Sequence, residues 1–187
     1  MAAFEGFKDT LELLLERGAD VNSRMEKNKT PLHEATSLEV AKLLVKYGAD
    51  MEAECDDGMP LHVAVSNERA SIVQFLLERG VEVNSRNKMN RTPLHEAAGC
   101  GHYKEAELLV KHGADIEAES QLGTPADFAR SNGNFELAEW LIELAKLRTK
   151  NDEALDIMKS NEKFNTELIK TIKELKEPSV STTIYLN

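Results

Sequence analysis

Bulky apolar residues recur in short clusters along this chain, within segments whose composition favours helices. A shorter segment precedes each cluster and opens with proline, as in TPLHEAAGC at 92–100, and a glycine follows each cluster a few residues later. Proline at the first helical position and glycine after the last turn are typical helix boundaries. The pattern therefore predicts pairs of short helices, with their bulky clusters at Leu43–Val45, Phe75–Leu77 and Leu108–Val110.

Two short motifs recur through most of the chain at a nearly constant spacing. The first is TPLH or a variant of it, which begins at residues 30, 59, 92 and 124. The second contains glycine followed by acidic residues (ERGADVN, KYGADME, ERGVEVN, KHGADIE) and begins at residues 16, 46, 78 and 111. Two markers that keep the same period define a structural repeat. No single unit can bury its own apolar face, so we expect neighbouring units to stack.

The period and the T-P-L-H-x-A opening resemble those of the ankyrin repeat. The resemblance covers residues 2 to about 143 and implies an all-α solenoid, with two helices and a protruding turn in each repeat. It divides the chain into a truncated first repeat (1–29), three internal repeats (30–123) and a C-terminal capping repeat (124–143).

The resemblance also implies a structural role for the TPLH histidines. His33, His62 and His95 are expected to bond to the local threonine and to neighbouring backbone, rather than to serve catalysis. In the last repeat Asp127 stands where the pattern has histidine. With Thr124 it forms a T-x-x-D pair that caps the helix in a different way.

Local departures from the pattern refine this expectation. We expect positive φ at the turn positions Asn28, Gly58, Asn90 and Gly123. The unit at 30–58 lacks three residues between its helices, so Ser37 should cap the second helix almost at once. The chain begins in mid-unit, with only a remnant of an inner helix. Glu105 takes a position that is apolar in the other units, and we expect it to tilt to solvent or to find a basic partner.

Residues 144–177 continue the last helix with strong helix formers and without glycine, up to Pro178. Apolar residues at three- and four-residue steps, among them Phe164 and Leu168, predict an amphipathic helical extension. This helix either folds back on the last repeat or associates with a partner helix through 150–177, and the sequence favours neither alternative. Residues 178–187 are predicted to form a flexible tail.

The composition narrows the classes of function. A formal charge of −10 disfavours nucleic acid and membrane as primary partners, because both need a basic surface. The two cysteines are too few for a disulfide framework, residues 1–10 do not read as a signal peptide, and no apolar stretch approaches about 18 residues. We expect a cytoplasmic or nuclear protein, and a secreted effector of an intracellular microbe also fits.

Candidate chemistry is sparse. Cys100 lies near His95 and His102 in sequence, and it is the only cysteine with histidine neighbours. No recognised catalytic motif accompanies it, and the acidic turn ECDDG at 54–58 lacks the spacing of a calcium loop. We therefore predict a non-enzymatic protein without cofactor or metal, and an enzyme that uses Cys100 is the weakest alternative.

Residues whose type is not dictated by the repeat fold are the candidates for binding a partner. The turn tips alternate in charge, so a partner with complementary stripes would gain specificity. The resemblance implies that the tips and the groove beside the inner helices bind protein. We predict an adaptor, inhibitor or regulatory subunit that uses Arg24, Lys27, Lys29, Glu34, Glu54, Asp56, Asp57, Ser66, Asn67, Arg86, Lys88, Arg91 and Glu119.

Two further hypotheses stay open. In the first, the C-terminal amphipathic helix is the effector or oligomerisation element, and the repeats are its scaffold. In the second, Asn22 and Asn84 are the turn asparagines that an oxygen-sensing dioxygenase hydroxylates in some ankyrin repeats. The competing interpretation of these asparagines is a purely structural role in the turn.

Overall fold

A computed structural model describes residues 2–148, and residues up to Ala145 form one compact unit. Within 2–148 the structure is helical, without strands and with two isolated β-bridges in the turns. The helices are α1 (Ala2–Glu16), α2 (Leu38–Lys46), α3 (Pro60–Ser66), α4 (Ala70–Glu78), α5 (Pro93–Cys100), α6 (Tyr103–Lys111), α7 (Pro125–Ser131) and α8 (135–148), with a short 3-10 helix at Glu26–Asn28.

The predicted all-α solenoid of paired helices is confirmed. Helices α3, α5 and α7 begin with proline, and each is an inner helix followed by an outer helix of the same repeat. A continuous core runs through the stack between the two layers. Its fully buried apolar side chains come from the second repeat onward and include Leu44, Leu61, Ile72, Leu76, Leu94, Leu109 and Leu141.

The turns follow the predicted backbone geometry. Asn28, Gly58, Asn90 and Gly123 all have positive φ, between 58° and 112°. At Gly58 a Cβ atom would also lie 2.8 Å from Cγ of His62, so the turn needs glycine for space as well as for conformation.

The first two repeats differ from the later ones on their inner side. Helix α1 runs without a break over Ala2–Glu16, so the residues expected to be a remnant of an inner helix belong to the same helix as those that follow. In the second repeat the inner helix is replaced by a turn over 31–34, because the unit is too short for both. The outer helix α2 starts where predicted, and the Ser37 hydroxyl accepts a hydrogen bond from Val40 N–H (3.3 Å).

The position of Glu105 contradicts the expectation that its side chain tilts to solvent or finds a basic partner. Its side chain is neither tilted to solvent nor paired with a base: the residue is only 1% exposed on α6, and among residues 2–148 its Oε1 has no hydrogen-bond partner. Because a buried carboxyl oxygen without a hydrogen-bond partner is unfavourable, this position lowers the stability of the repeat at 92–123.

The predicted C-terminal elements lie mostly beyond the described residues. Helix α8 continues past position 143 to 148, in agreement with a helix that does not stop at the end of the capping repeat. The remainder of the extension at 144–177, its association through 150–177 and the tail at 178–187 fall outside the described residues and stay predictions.

Candidate protein-binding surface

Each TPLH histidine bonds to the start and to the end of its repeat. Nδ1 of His33 accepts the backbone N–H of Thr30 (3.0 Å) and lies 2.9 Å from the Thr30 hydroxyl, while its Nε2–H donates to the carbonyl oxygen of Gly58 (3.2 Å), the residue just before the next TPLH motif. His95 repeats this geometry with Thr92 and with Gly123. The local half of this role was predicted, and the bond to the end of the repeat was not.

His62 shows the same arrangement without a threonine. Its Nδ1 accepts the N–H of Met59 (3.3 Å), and its Nε2–H donates to the carbonyl oxygen of Arg91 (3.1 Å). Burial is the main cause that lowers the pKa of all three histidines, and it lowers the pKa of His62 to about 4. These rings are therefore neutral and structural at pH 7.

Asp127 takes over only the local half of the histidine's role. Its Oδ2 accepts hydrogen bonds from the N–H (3.0 Å) and the hydroxyl (2.7 Å) of Thr124, and Asp127 N–H donates back to that hydroxyl. These bonds hold the pKa of Asp127 below its usual value. The predicted capping pair is confirmed.

The turn asparagines join successive repeats. The Asn22 side chain donates to the carbonyl oxygen of Gly48 (3.1 Å) and accepts from Asp50 N–H (2.8 Å). Asn84 makes the same two contacts to the following repeat. In the repeat between them, Glu52 Oε1 accepts from Glu82 N–H (2.8 Å). The structural role of Asn22 and Asn84 is thus evident, and their hydroxylation stays a prediction.

Two of the predicted recognition arginines bind their own chain. Nη1 of Arg24 donates to the carbonyl oxygens of Asn28 (2.9 Å) and Glu54 (2.6 Å), which closes its own turn and joins it to the next. Arg86 makes the equivalent bonds, to Asn90 (2.9 Å) and Glu119 (2.6 Å). These guanidinium groups therefore brace the turn tips, and their substitution would disturb the structure as well as any partner contact.

Six of the predicted residues meet in one pocket of the groove. The pocket has a volume of about 360 Å³ and lies between the turn tips and the inner helices. It is lined by the predicted residues Lys29, Asp56, Asp57, Ser66, Asn67 and Arg91, together with Val63, Asn87, Met89 and Glu96. The six predicted residues come from three successive repeats, and Glu96 comes from a fourth. We call this concave surface the groove pocket.

The charges in the groove pocket are arranged in pairs. Lys29 Nζ lies 3.0 Å from Glu34 Oε1 and 3.3 Å from Asp57 Oδ2, and the hydrogen bond to Glu34 is the main cause that raises the pKa of Lys29. Lys88 pairs with Asp56 in the same way. The alternating tip charges that the sequence predicts therefore form ion pairs between neighbouring turns.

On the other side of the pocket, Arg91 Nη1 lies 3.5 Å from Glu96 Oε1, and its guanidinium group covers the ring of Phe128. Burial raises the pKa of Glu96 although Arg91 opposes the shift. Glu96 was not predicted as a groove residue, but its equivalence to Glu34 in TPLHE was a usable signal. Met89, an exposed apolar residue in a polar turn, was a second signal.

The remaining predicted residues lie around this surface. Lys27 is exposed, and with Lys29 and Glu34 it lines a second pocket beside Met25 and Glu26. The side chains of Glu54 and Glu119 are exposed, and their carbonyl oxygens accept the bracing arginines.

Cys100 has surroundings unlike those of an activated thiol. Burial and, less strongly, Glu96 raise its pKa, which favours the thiol over the thiolate. Both ring nitrogens of His95 are engaged elsewhere, and Nδ1 of His102 lies 2.9 Å from the carbonyl oxygen of Val65. Within residues 2–148, no group of three or more His, Cys, Asp or Glu side chains could hold a metal ion, and no helix is long and apolar enough to cross a bilayer.

Comparison with known proteins shows the family. The family model for ankyrin repeats (3 copies) matches residues 1–87 and 61–153. An ankyrin repeat and KH domain-containing protein of Caenorhabditis briggsae is 32% identical over 153 residues, which cover 78% of this chain and 6% of that protein. An ankyrin repeat protein of fowlpox virus is 39% identical over 122 residues, 60% of this chain and 20% of the viral protein. The chain belongs to the ankyrin-repeat family.

Ankyrin repeats are generally non-catalytic modules that bind other proteins. The chain spans a small part of its curated relatives: the mask-1 protein of Caenorhabditis elegans, 31% identical over 91% of this chain, is matched over 7% of its own length. The similarity therefore applies to the repeats, and what the larger proteins do as wholes is a separate question.

Proposed function

We propose that this chain is a non-catalytic adaptor, inhibitor or regulatory subunit that binds a partner protein through the groove pocket and the turn tips. The observation that carries the proposal is the convergence of side chains from three repeats on one concave, partly apolar surface. We also propose that it acts inside the cell, where its two cysteines, which are unpaired in the structure, would stay reduced.

The bracing of the turns supports this function. Arg24 and Arg86 fix their own turns to the following repeats, and Asp57 and Asp56 pair with Lys29 and Lys88 across the tips. A surface that is already ordered loses little conformational entropy on binding, so more of its contact energy appears as affinity.

A matched pair of serine substitutions tests the proposal. Ser66 lies in the groove pocket at the end of α3, and Ser71 is exposed on the outer helix α4. Ser66→Arg, combined with Met89→Asp, should abolish capture of the partner from lysate of the native cell. Ser71→Arg should leave capture unchanged, and both proteins should keep the wild-type thermal melt. Unchanged capture by the groove variant would contradict the proposal.

A further inference from the structure

The protruding turns at 22–30 and 84–92, here the long turns, are built alike although one repeat separates them. In each turn an arginine side chain donates hydrogen bonds to two backbone carbonyl oxygens. Each turn is also closed by a backbone hydrogen bond, from Met25 N–H to Lys29 O (2.8 Å) and from Asn87 N–H to Arg91 O (2.9 Å). The turn between them, at 52–59, closes instead through a β-bridge from Cys55 to Gly58. The surface of the stack therefore repeats every two repeats.

This double period places two equivalent pockets in the groove. The ion pair of Lys29 with Glu34 (3.0 Å) corresponds in sequence to that of Arg91 with Glu96 (3.5 Å). Each pair borders a pocket that an exposed methionine also lines, Met25 in the first pocket and Met89 in the groove pocket. The two methionines stand at different positions in their turns and are 47% and 56% exposed.

The distance between the two pockets follows from the stacking of helices. Packed helices lie 8–10 Å apart, and the outer helices of successive repeats set this spacing also where Glu34 lies in a turn, so two repeats separate Glu34 from Glu96 by roughly 16–20 Å. An extended segment advances about 3.1–3.3 Å per residue, which makes this distance about five to six residues long. Side chains return to the same face every second residue in a strand and every third residue in a polyproline helix. Only a separation of six residues spans the distance between Glu34 and Glu96 and also places both side chains on the same face of the segment.

The chemistry of the pockets favours a cationic side chain with a long aliphatic stem. The stem can lie on the methionine, and the ammonium or guanidinium group can bind the second carboxylate oxygen, Oε2, because Lys29, Arg91 and Asn87 contact Oε1 of these glutamates. An acidic side chain would instead have to displace Glu34 or Glu96 from its present cation. It would also meet an unfavourable field, because residues 1–143 hold 26 acidic and 15 basic side chains, a charge of −11.

We propose that the groove binds one extended segment of a partner protein that carries lysine or arginine at positions i and i+6. One cation binds beside Glu34 and Met25, and the other binds beside Glu96 and Met89. This inference rests on the proposed function and adds the spacing and charge of the segment that the groove recognises.

A peptide series tests the spacing. Peptides of 13 residues in an uncharged Ser/Thr/Pro background carry two arginines at separations from three to eight, and fluorescence anisotropy measures their affinity for the full chain. The peptide with separation six should bind about tenfold more tightly than the peptides with separation five or with a single arginine, because only it engages both pockets. Equal affinities across the series, or no binding, would overturn the inference.

Variants of the protein separate the two pockets. Glu34→Gln and Glu96→Gln should each lower the affinity for the separation-six peptide to about that of the single-arginine peptide, whereas Glu39→Gln on the outer helix α2 should not. If the serine pair changes partner capture as predicted while the peptides show no preference for six, the proposed function stands and this inference fails. If capture is unaffected, the proposed function itself fails.

Discussion

His62 should make the stability of the repeat stack depend on pH between 7 and 5. Its buried ring has a pKa of about 4, against about 6.5 in the unfolded chain. Well above pH 6.5 the ring is neutral in both the folded and the unfolded state, so it does not make the free energy of unfolding depend on pH. As the pH falls below 6.5, the unfolded chain takes up a proton that the folded stack does not. The free energy of unfolding therefore decreases until the pH reaches the folded pKa.

The difference in pKa sets the size of the effect. One pKa unit corresponds to about 1.4 kcal/mol, so the full loss is about 3 kcal/mol, of which about 2 kcal/mol is present at pH 5. Urea unfolding of the wild type and of His62→Gln, at pH 7 and pH 5, isolates this ring because His33 and His95 titrate in both proteins. The wild type should lose about 2 kcal/mol more than the variant.

A direct titration supplies the check that does not depend on the variant. Nuclear magnetic resonance signals of the His62 ring in the folded wild type should keep the neutral form down to about pH 5. A folded-state pKa near 6.5, or equal losses of unfolding free energy in the two proteins, would refute the reasoning.

Three further substitutions test other features by urea unfolding. Glu105→Leu should raise the free energy of unfolding by about 2 kcal/mol, because it removes a buried carboxyl oxygen that has no hydrogen-bond partner. Glu107→Leu, on the exposed side of the same helix, should change it little. A Glu105 variant that is no more stable than the wild type would contradict this. Glu68→Gly should raise it by about 1 kcal/mol, because Glu68 has a φ of 56°. Gln74→Gly, at an exposed position inside α4, should lower it by a similar amount. Arg86→Met should lower it by about 2 kcal/mol, since two backbone acceptors lose a charged donor, and an unchanged midpoint would show that the brace contributes nothing.

Most of the fold was predictable because its boundaries depend on local chemistry. Proline at the start of α3, α5 and α7 acts within a few residues, and so do the turn residues of positive φ and the Ser37 cap. Helix boundaries that depend on these residues can therefore be predicted from a repeating sequence. The continuous helix α1 was not predictable in this way, because the repeat pattern assigns its first residues to an inner helix and the structure joins them to the helix that follows.

The candidate site was only partly predictable, because contacts with neighbouring repeats determine which way its side chains point. Arg24 and Lys27 are both exposed cations of the same turn, yet the side chain of Arg24 bonds to the next repeat whereas that of Lys27 lines a pocket. Sequence spacing could not separate them, since the acceptor at Glu54 is a backbone oxygen thirty residues away. The burial of Glu105 was missed for the same reason: its surroundings come from neighbouring helices.

The alternation of turn types constrains how an array of this kind can lengthen. Each long turn is bonded to a short one, by Arg24 to Glu54 on one side and by Lys88 to Asp56 on the other. Duplication of a single repeat would place two turns of like charge side by side and leave a lysine such as Lys88 without its aspartate in the neighbouring turn. Duplication of a two-repeat cassette would preserve every junction, so descendants of this chain should gain or lose repeats in even numbers.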